Sequence, residues 1–183
     1  STGSGNTALY IDTNRVNFVR PILISANGTG TATLGTRVSV VGSGDNNSFS
    51  GITLNRDVIF DSNATDRTDY RNITGTGNIT FSGAGRAVLS TVNTFVGNIT
   101  INSSAETNNV QLGTNSTAFN AIPDASNVTI NAGGKLSLSY TAGGIETISG
   151  LNGAGTVRNN GGNANTLAVG GANGSGSFSG TIE

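Results

Sequence analysis

The chain has 183 residues, including 28 Gly, 25 Asn, 25 Thr and 20 Ser, with nine basic and ten acidic residues and a net charge of −1. His and Cys are absent, which excludes a Ser-His-Asp or Cys-His triad, a His or Cys zinc site, and any disulfide. So few charges leave no basic footprint for nucleic acid, and no run of about 18 apolar residues is present to insert into a membrane.

This composition is close to that of a disordered linker. The 34% of apolar residues argues otherwise. They are mostly Val, Ile, Leu and Phe, which favour strands, and they are regularly spaced. In chain order, Arg37-Val38-Ser39-Val40 alternates first, followed by a Phe49-Ser50-Gly51-Ile52 unit. The charged stretch comes next: Arg56, Asp57, Asp61, Asp66, Arg67, Asp69, Tyr70 and Arg71. It reads as a long solvated loop near 56–71, whose functional alternative is a surface binding loop. Residues 61–66 resemble the start of a calcium loop but lack its Gly at position six and its Glu at twelve, so no metal is expected there.

Alternation resumes at Asn78-Ile79-Thr80-Phe81, Asn98-Ile99-Thr100-Ile101, Asn127-Val128-Thr129-Ile130 and Lys135-Leu136-Ser137-Leu138. Period 2 with β-branched residues predicts half-buried strands, apolar side in and Thr, Ser or Asn out. Turn signals separate them: Asn27-Gly28, Gly42-Ser43-Gly44-Asp45, Gly83-Ala84-Gly85, Gly133-Gly134, Gly143-Gly144, Gly161-Gly162 and Gly170-Gly171. No stretch shows a 3.6-residue apolar period, so almost no helix is expected. Ten Asn-x-Ser/Thr sequons, among them Asn27, Asn72, Asn78 and Asn115, follow from this composition and from outward Asn-x-Thr pairs. Tyr10, Tyr70 and Tyr140 read as core packing, with a sugar-binding platform as the alternative.

Strands this short need stacking. The Asn-x-Thr units that begin at Asn78, Asn98 and Asn127 suit a coil near 20 residues whose turns vary in length. A Phe-x-Gly unit recurs at Phe49, Phe95 and Phe178. If these positions are two and then four coils apart, each coil holds roughly 22 residues, within the range of solenoid repeats. The chain then reads as one all-β domain, a parallel β-helix or β-solenoid. Its expected size is about eight coils of roughly 22 residues, forming a rod of about 40 Å.

Residues 75–183 resemble the passenger-associated β-strand repeats of Gram-negative autotransporters. Gly75-Thr76-Gly77-Asn78-Ile79-Thr80-Phe81, Ala87-Val88-Leu89-Ser90, Asn93-Thr94-Phe95-Val96-Gly97 and Asn98-Ile99-Thr100-Ile101-Asn102 follow that pattern in order. A second copy runs from Asn127 to Leu138 and continues at Ile148–Val157, and Gly176–Ile182 is similar to the closing segment. The resemblance implies a right-handed parallel β-helix on the outer surface of a Gram-negative cell. There it would act as a non-catalytic stalk or adhesin segment with no cofactor. Whether residues 1–74 join the same solenoid stays open at this point.

Both ends fall within strand-like sequence without an amphipathic cap. Further segments of the same chain or neighbouring subunits are therefore the expected partners, with surface glycans as possible ligands. A viral fibre or capsid decoration on the virion surface is the second reading. The third is a polysaccharide-degrading enzyme, for which Asp57, Asp61, Asp66 and Asp69 would be the candidate carboxylates. Asp57 and Asp61 share a face if the strand there is regular.

Overall fold

The computed structural model describes residues 4–13, 16–37, 46–63, 67–102, 110–113, 120–140 and 143–183. These residues wind into an all-β solenoid of parallel rungs, about six turns long. The first wall stacks β1 (Thr7–Ile11), β4 (Ala32–Thr36), β6 (Val58–Ser62), β8 (Ile79–Ser82), β10 (Ile99–Ile101), β12 (Asn127–Ile130) and β15 (Gly150–Gly153) in that order. The second wall stacks β2 (Asn17–Phe18), β5 (Asn46–Leu54), β7 (Arg67–Gly75), β9 (Arg86–Leu89), β11 (Val110–Leu112), β13 (Lys135–Leu138), β16 (Thr156–Asn159) and β18 (Thr181–Ile182). A third side carries β3 (Ile22–Ile24) on the far half of β5, and the pair β14 (Ile145–Ile148) and β17 (Thr166–Val169). Helix among the described residues is confined to a 3₁₀ turn at Gly171–Asn173.

The Asn-x-Thr units stack as their spacing predicts. Ile79, Ile99 and Val128 share one inward column, and Thr80, Thr100 and Thr129 share one outward column. The rungs of the first wall are unevenly spaced along the chain. The step is shortest from β8 to β10, where Asn78 and Asn98 are stacked partners, and longest from β10 to β12, where Asn98 and Asn127 are. Steps in the first half, such as Thr7 to Ala32 and Thr33 to Ile59, are also long. The coil is therefore longer and less even than expected, and fewer turns form than the predicted eight. The described residues before position 75 belong to the same solenoid, since β1, β4 and β6 lie under β8 in one continuous sheet.

Two expectations are corrected. The Phe-x-Gly units do not mark one place on successive coils. Phe49 pairs within the second wall, Phe95 is buried on the third side, and Phe178 bridges Gly153 at the first wall. Their spacing is thus no coil period. The charged stretch at 56–71 is not one loop either: β6 and β7 occupy most of it, on different walls. Asp66 lies outside the described residues, as do Val38–Val40 and the turn at 42–45.

β5 and β7 bend in mid-strand. Their pairing is interrupted, with the register unchanged, at Gly51 (φ 74) and Asn72 (φ 52), which stand side by side on successive rungs. This left-handed backbone costs Gly nothing and is tolerated by Asn. It carries each strand round the corner onto the third side. There Thr94 N–H donates to the Ile73 carbonyl at 2.9 Å, and Val96 N–H to Gly75 at 2.8 Å.

Inward residues form one continuous apolar column. Its first half is aromatic. Phe60 stacks on Tyr70 at 4.0 Å between centroids, Phe49 stacks on Tyr70 at 5.7 Å, and Phe81 meets Phe60 edge-on at 5.6 Å. Such pairs add roughly 0.5–1.5 kcal/mol each beyond area burial. The buried Tyr70 hydroxyl donates to the Leu34 carbonyl at 3.3 Å and lies 3.3 Å from Ser62 Oγ, so its polar tip is satisfied.

Candidate functional site

The sequence-predicted residues divide among three places. Arg56 and Asp57 stand at the corner that leads into the first wall. Asp61 points outward from β6, since Val58, Phe60 and Ser62 are its buried positions. Arg67, Asp69 and Arg71 lie on the outer side of β7. Tyr70 faces the core and is fully buried, so it cannot form a sugar platform; burial also pushes its phenol pKa well up. Tyr140 is likewise fully buried.

Asp57 and Asp61 do share the outer face, as strand parity requires. Four residues of extended chain put their backbones about 13 Å apart. That exceeds the roughly 5–9.5 Å that separates working carboxylates in glycosidases. Each is also engaged structurally. Asp57 Oδ1 accepts from Asn78 N–H at 2.8 Å, and its Oδ2 accepts from Asn78 Nδ2 at 3.2 Å. Asp61 Oδ2 accepts the Tyr10 hydroxyl at 2.9 Å, and Oδ1 accepts Ser82 Oγ at 3.1 Å.

Tyr10 reaches Asp61 across Gly35, which occupies the rung between them. A Cβ at Gly35 would lie 2.1 Å from the Asp61 carbonyl oxygen and 3.0 Å from Tyr10 Cε1. The absent side chain makes room for the tyrosine ring. Arg37 lies over the ring, its guanidinium 4.0 Å from the centroid. Burial, and then the Asp61 hydrogen bond and charge, raise the Tyr10 pKa. The Tyr10–Asp61 hydrogen bond spans the Gly35 rung, which makes this cluster a staple across rungs.

Asp69 is fully buried beneath two arginines. Arg67 Nε sits 3.0 Å from its Oδ1, and Arg71 Nη2 pairs with its Oδ2. Arg71 Nε also donates to Ser90 Oγ on the next rung at 3.0 Å. This ion-pair cluster ties rungs of the second wall together.

Two polar residues that the sequence does not single out complete the third side. Asn93 Oδ1 accepts from Ile73 N–H at 2.9 Å, while Nδ2 donates to the Ala121 carbonyl at 2.7 Å. Glu146 accepts from Ala121 N–H at 3.0 Å, from Ile122 N–H at 2.7 Å and from the Tyr140 hydroxyl. Side chains here replace ladder bonds that an irregular backbone cannot make. Burial raises the Glu146 pKa, opposed by its hydrogen bonds from Tyr140, Ile122 and Ala121. One signal was available in the strand Ile145-Glu146-Thr147-Ile148: its alternation places the carboxylate on the inward phase together with Ile148.

The outer surface of the first wall carries an open groove of about 510 Å³. The turn at 28–31 forms one side, and Arg56, Asp57, Ile59 and Thr80 form the floor and the other side. Arg56 Nη1 holds the turn in place, donating to the carbonyls of Gly28 at 3.0 Å and Gly30 at 2.5 Å. From the groove, two polar columns run up the wall. In one, Asn98 N–H donates to Asn78 Oδ1 at 2.9 Å and Asn127 N–H to Asn98 Oδ1 at 3.0 Å. In the other stand Thr80, Thr100 and Thr129. Among the described residues no group of three or more carboxylates gathers to hold a metal. Compared with known proteins, the chain matches no family model, no curated protein and no solved structure.

Proposed function

We propose that the protein is a non-catalytic structural and adhesive module, a rigid β-solenoid stalk displayed on the outer surface of a Gram-negative cell. The supporting observation is the continuous first wall, seven parallel rungs with Asn-x-Thr units stacked in register. A load along the rod is shared by backbone ladders, side-chain ladders and a single apolar column. Asp57 and Asp61 serve as rung-to-rung ties, which suits a mechanical element. The likeness of residues 75–183 to autotransporter passenger repeats supplies the location.

The final rungs favour stacking partners of the same kind. Ile182 on β18 is 72% exposed and Val169 on β17 is 51% exposed. Both belong to strands with one ladder neighbour among the described residues. A parallel strand of similar kind fits such a surface.

Antibody labelling of intact producing cells tests the proposal. Labelling without permeabilisation is expected. Signal only after lysis would overturn it, and signal confined to virus particles would transfer the module to a virion surface. Sugar release from glycans that depends on Asp57 or Asp61 would restore the enzyme reading.

A further inference from the structure

We propose that the groove beside the 28–31 turn is a binding site for a neutral polysaccharide strand, which continues along the Thr and Asn columns of the first wall. This rests on the adhesive reading above and names its ligand class. The groove's volume of about 510 Å³ falls within the roughly 300–1,000 Å³ usual for ligand sites. Its floor is apolar at Ile59 and polar at Thr80 and Asp57. A pyranose ring has the same mixture, with C–H groups on its faces and hydroxyls at its rim.

Charge argues for a neutral ligand. Arg56 commits Nη1 to two carbonyls of the turn, and Asp57 stands next to it. The groove thus presents one cation and one anion, with no excess to attract a phosphate or uronate.

The wall also disfavours a peptide. A peptide that adds a strand needs a free sheet edge. Here β6 and β8 are hydrogen-bonded on both sides, to β4 and β10. What the wall offers outward is side chains alone. Thr80, Thr100 and Thr129 recur at each rung, about 4.8 Å apart, and Asn78, Asn98 and Asn127 run beside them. Each contact is weak, since it replaces a bond to water. A polymer gathers several in series, so affinity should grow with chain length.

The test is calorimetric titration of the purified protein with neutral hexasaccharides of glucose, mannose, galactose and N-acetylglucosamine, and with the matching disaccharides. At least one hexasaccharide is expected to bind, at least tenfold more tightly than its disaccharide. Ile59→Ala and Asp57→Asn should each weaken it about tenfold. Thr129→Val should weaken the hexasaccharide while leaving the disaccharide unchanged. Thr74→Val, on the third side, should change neither. Unchanged circular dichroism and urea midpoint in each variant separate loss of contact from loss of fold. Absence of binding across the series, binding untouched by Ile59→Ala and Asp57→Asn, or binding only of an added polygalacturonate would overturn the proposal. These results are independent of where the protein sits in the cell, so the stalk reading can stand if this one fails.

Discussion

At the residue scale, the two kinds of asparagine should behave differently. Asn98 is exposed, and replacing it frees an Asn127 N–H that water can reach. Asn98→Ala should therefore cost less than about 1 kcal/mol. Asn93 is buried, and its loss strands the Ile73 N–H and the Ala121 carbonyl. At about 1–3 kcal/mol for each of the two orphaned groups, Asn93→Ala should cost about 2–6 kcal/mol. Urea unfolding of the two variants checks the contrast. Equal losses would mean that Asn93 does not carry its corner.

Glu146 gives a pH signature. Its pKa is raised in the folded protein, chiefly by burial, so the folded state holds this proton more tightly than the unfolded chain does. Its contribution is present below the unfolded pKa and is lost as pH rises through the folded value. The stability of the parent relative to Glu146→Gln should fall across that interval, upward from about 4.5. Urea titrations at stepped pH measure this. A difference independent of pH, or one that grows with pH, would contradict it.

At the element scale, Gly35 is held in a tight fit between β1 and β6. Gly35→Ala puts a methyl group against backbone of the next rung at 2.1 Å. The rungs must part, at a cost of about 1–3 kcal/mol, and the Tyr10–Asp61 bond should break with them. A lowered urea midpoint together with a Tyr10 phenol that titrates closer to its ordinary value is expected. An unchanged titration would show that the staple survives without Gly35.

This scale also shows where the sequence is legible. β12 and β13 match the alternating runs residue for residue, and β8 and β10 match theirs within a position; β8, β10 and β12 pack one face inward and leave the other partly open to water, whereas in β13 Ser137 is buried as well. The stretch from Arg56 to Arg71 misleads because local charge density reads as solvent exposure. In the fold, β7 uses Arg67 and Arg71 to cover Asp69 on its outer side while Tyr70 fills the core. The bends at Gly51 and Asn72 are hidden for another reason: each falls inside a nine-residue strand, where only the left-handed backbone shows the corner. Arg56 and Asp57 are legible as candidates, but the 28–31 turn joins them only because β4 and β6 stack as successive rungs.

At the scale of the whole molecule, the account rests on cooperation between coils. Each coil touches mainly its neighbours, so stability is close to a sum of coil and interface terms. The aromatic column of Phe49, Phe60, Tyr70 and Phe81 concentrates packing in the first half, whereas the last rungs hold half-buried Leu167 and exposed Val169 and Ile182. Opening should therefore begin at the carboxyl-terminal rungs. Hydrogen exchange would show this as faster exchange of β16–β18 amides than of β6–β8 amides, and the reverse order would refute it.

The central claim is that stacked rungs make a rod that carries force, and stretching single molecules between their two ends tests it most directly. The account predicts discrete rupture events, each lengthening the chain by one coil. One coil corresponds to about 65–95 Å of extended chain, taking roughly 20 to 29 residues at about 3.3 Å each. Smooth lengthening at low force, with no rupture events, would contradict it.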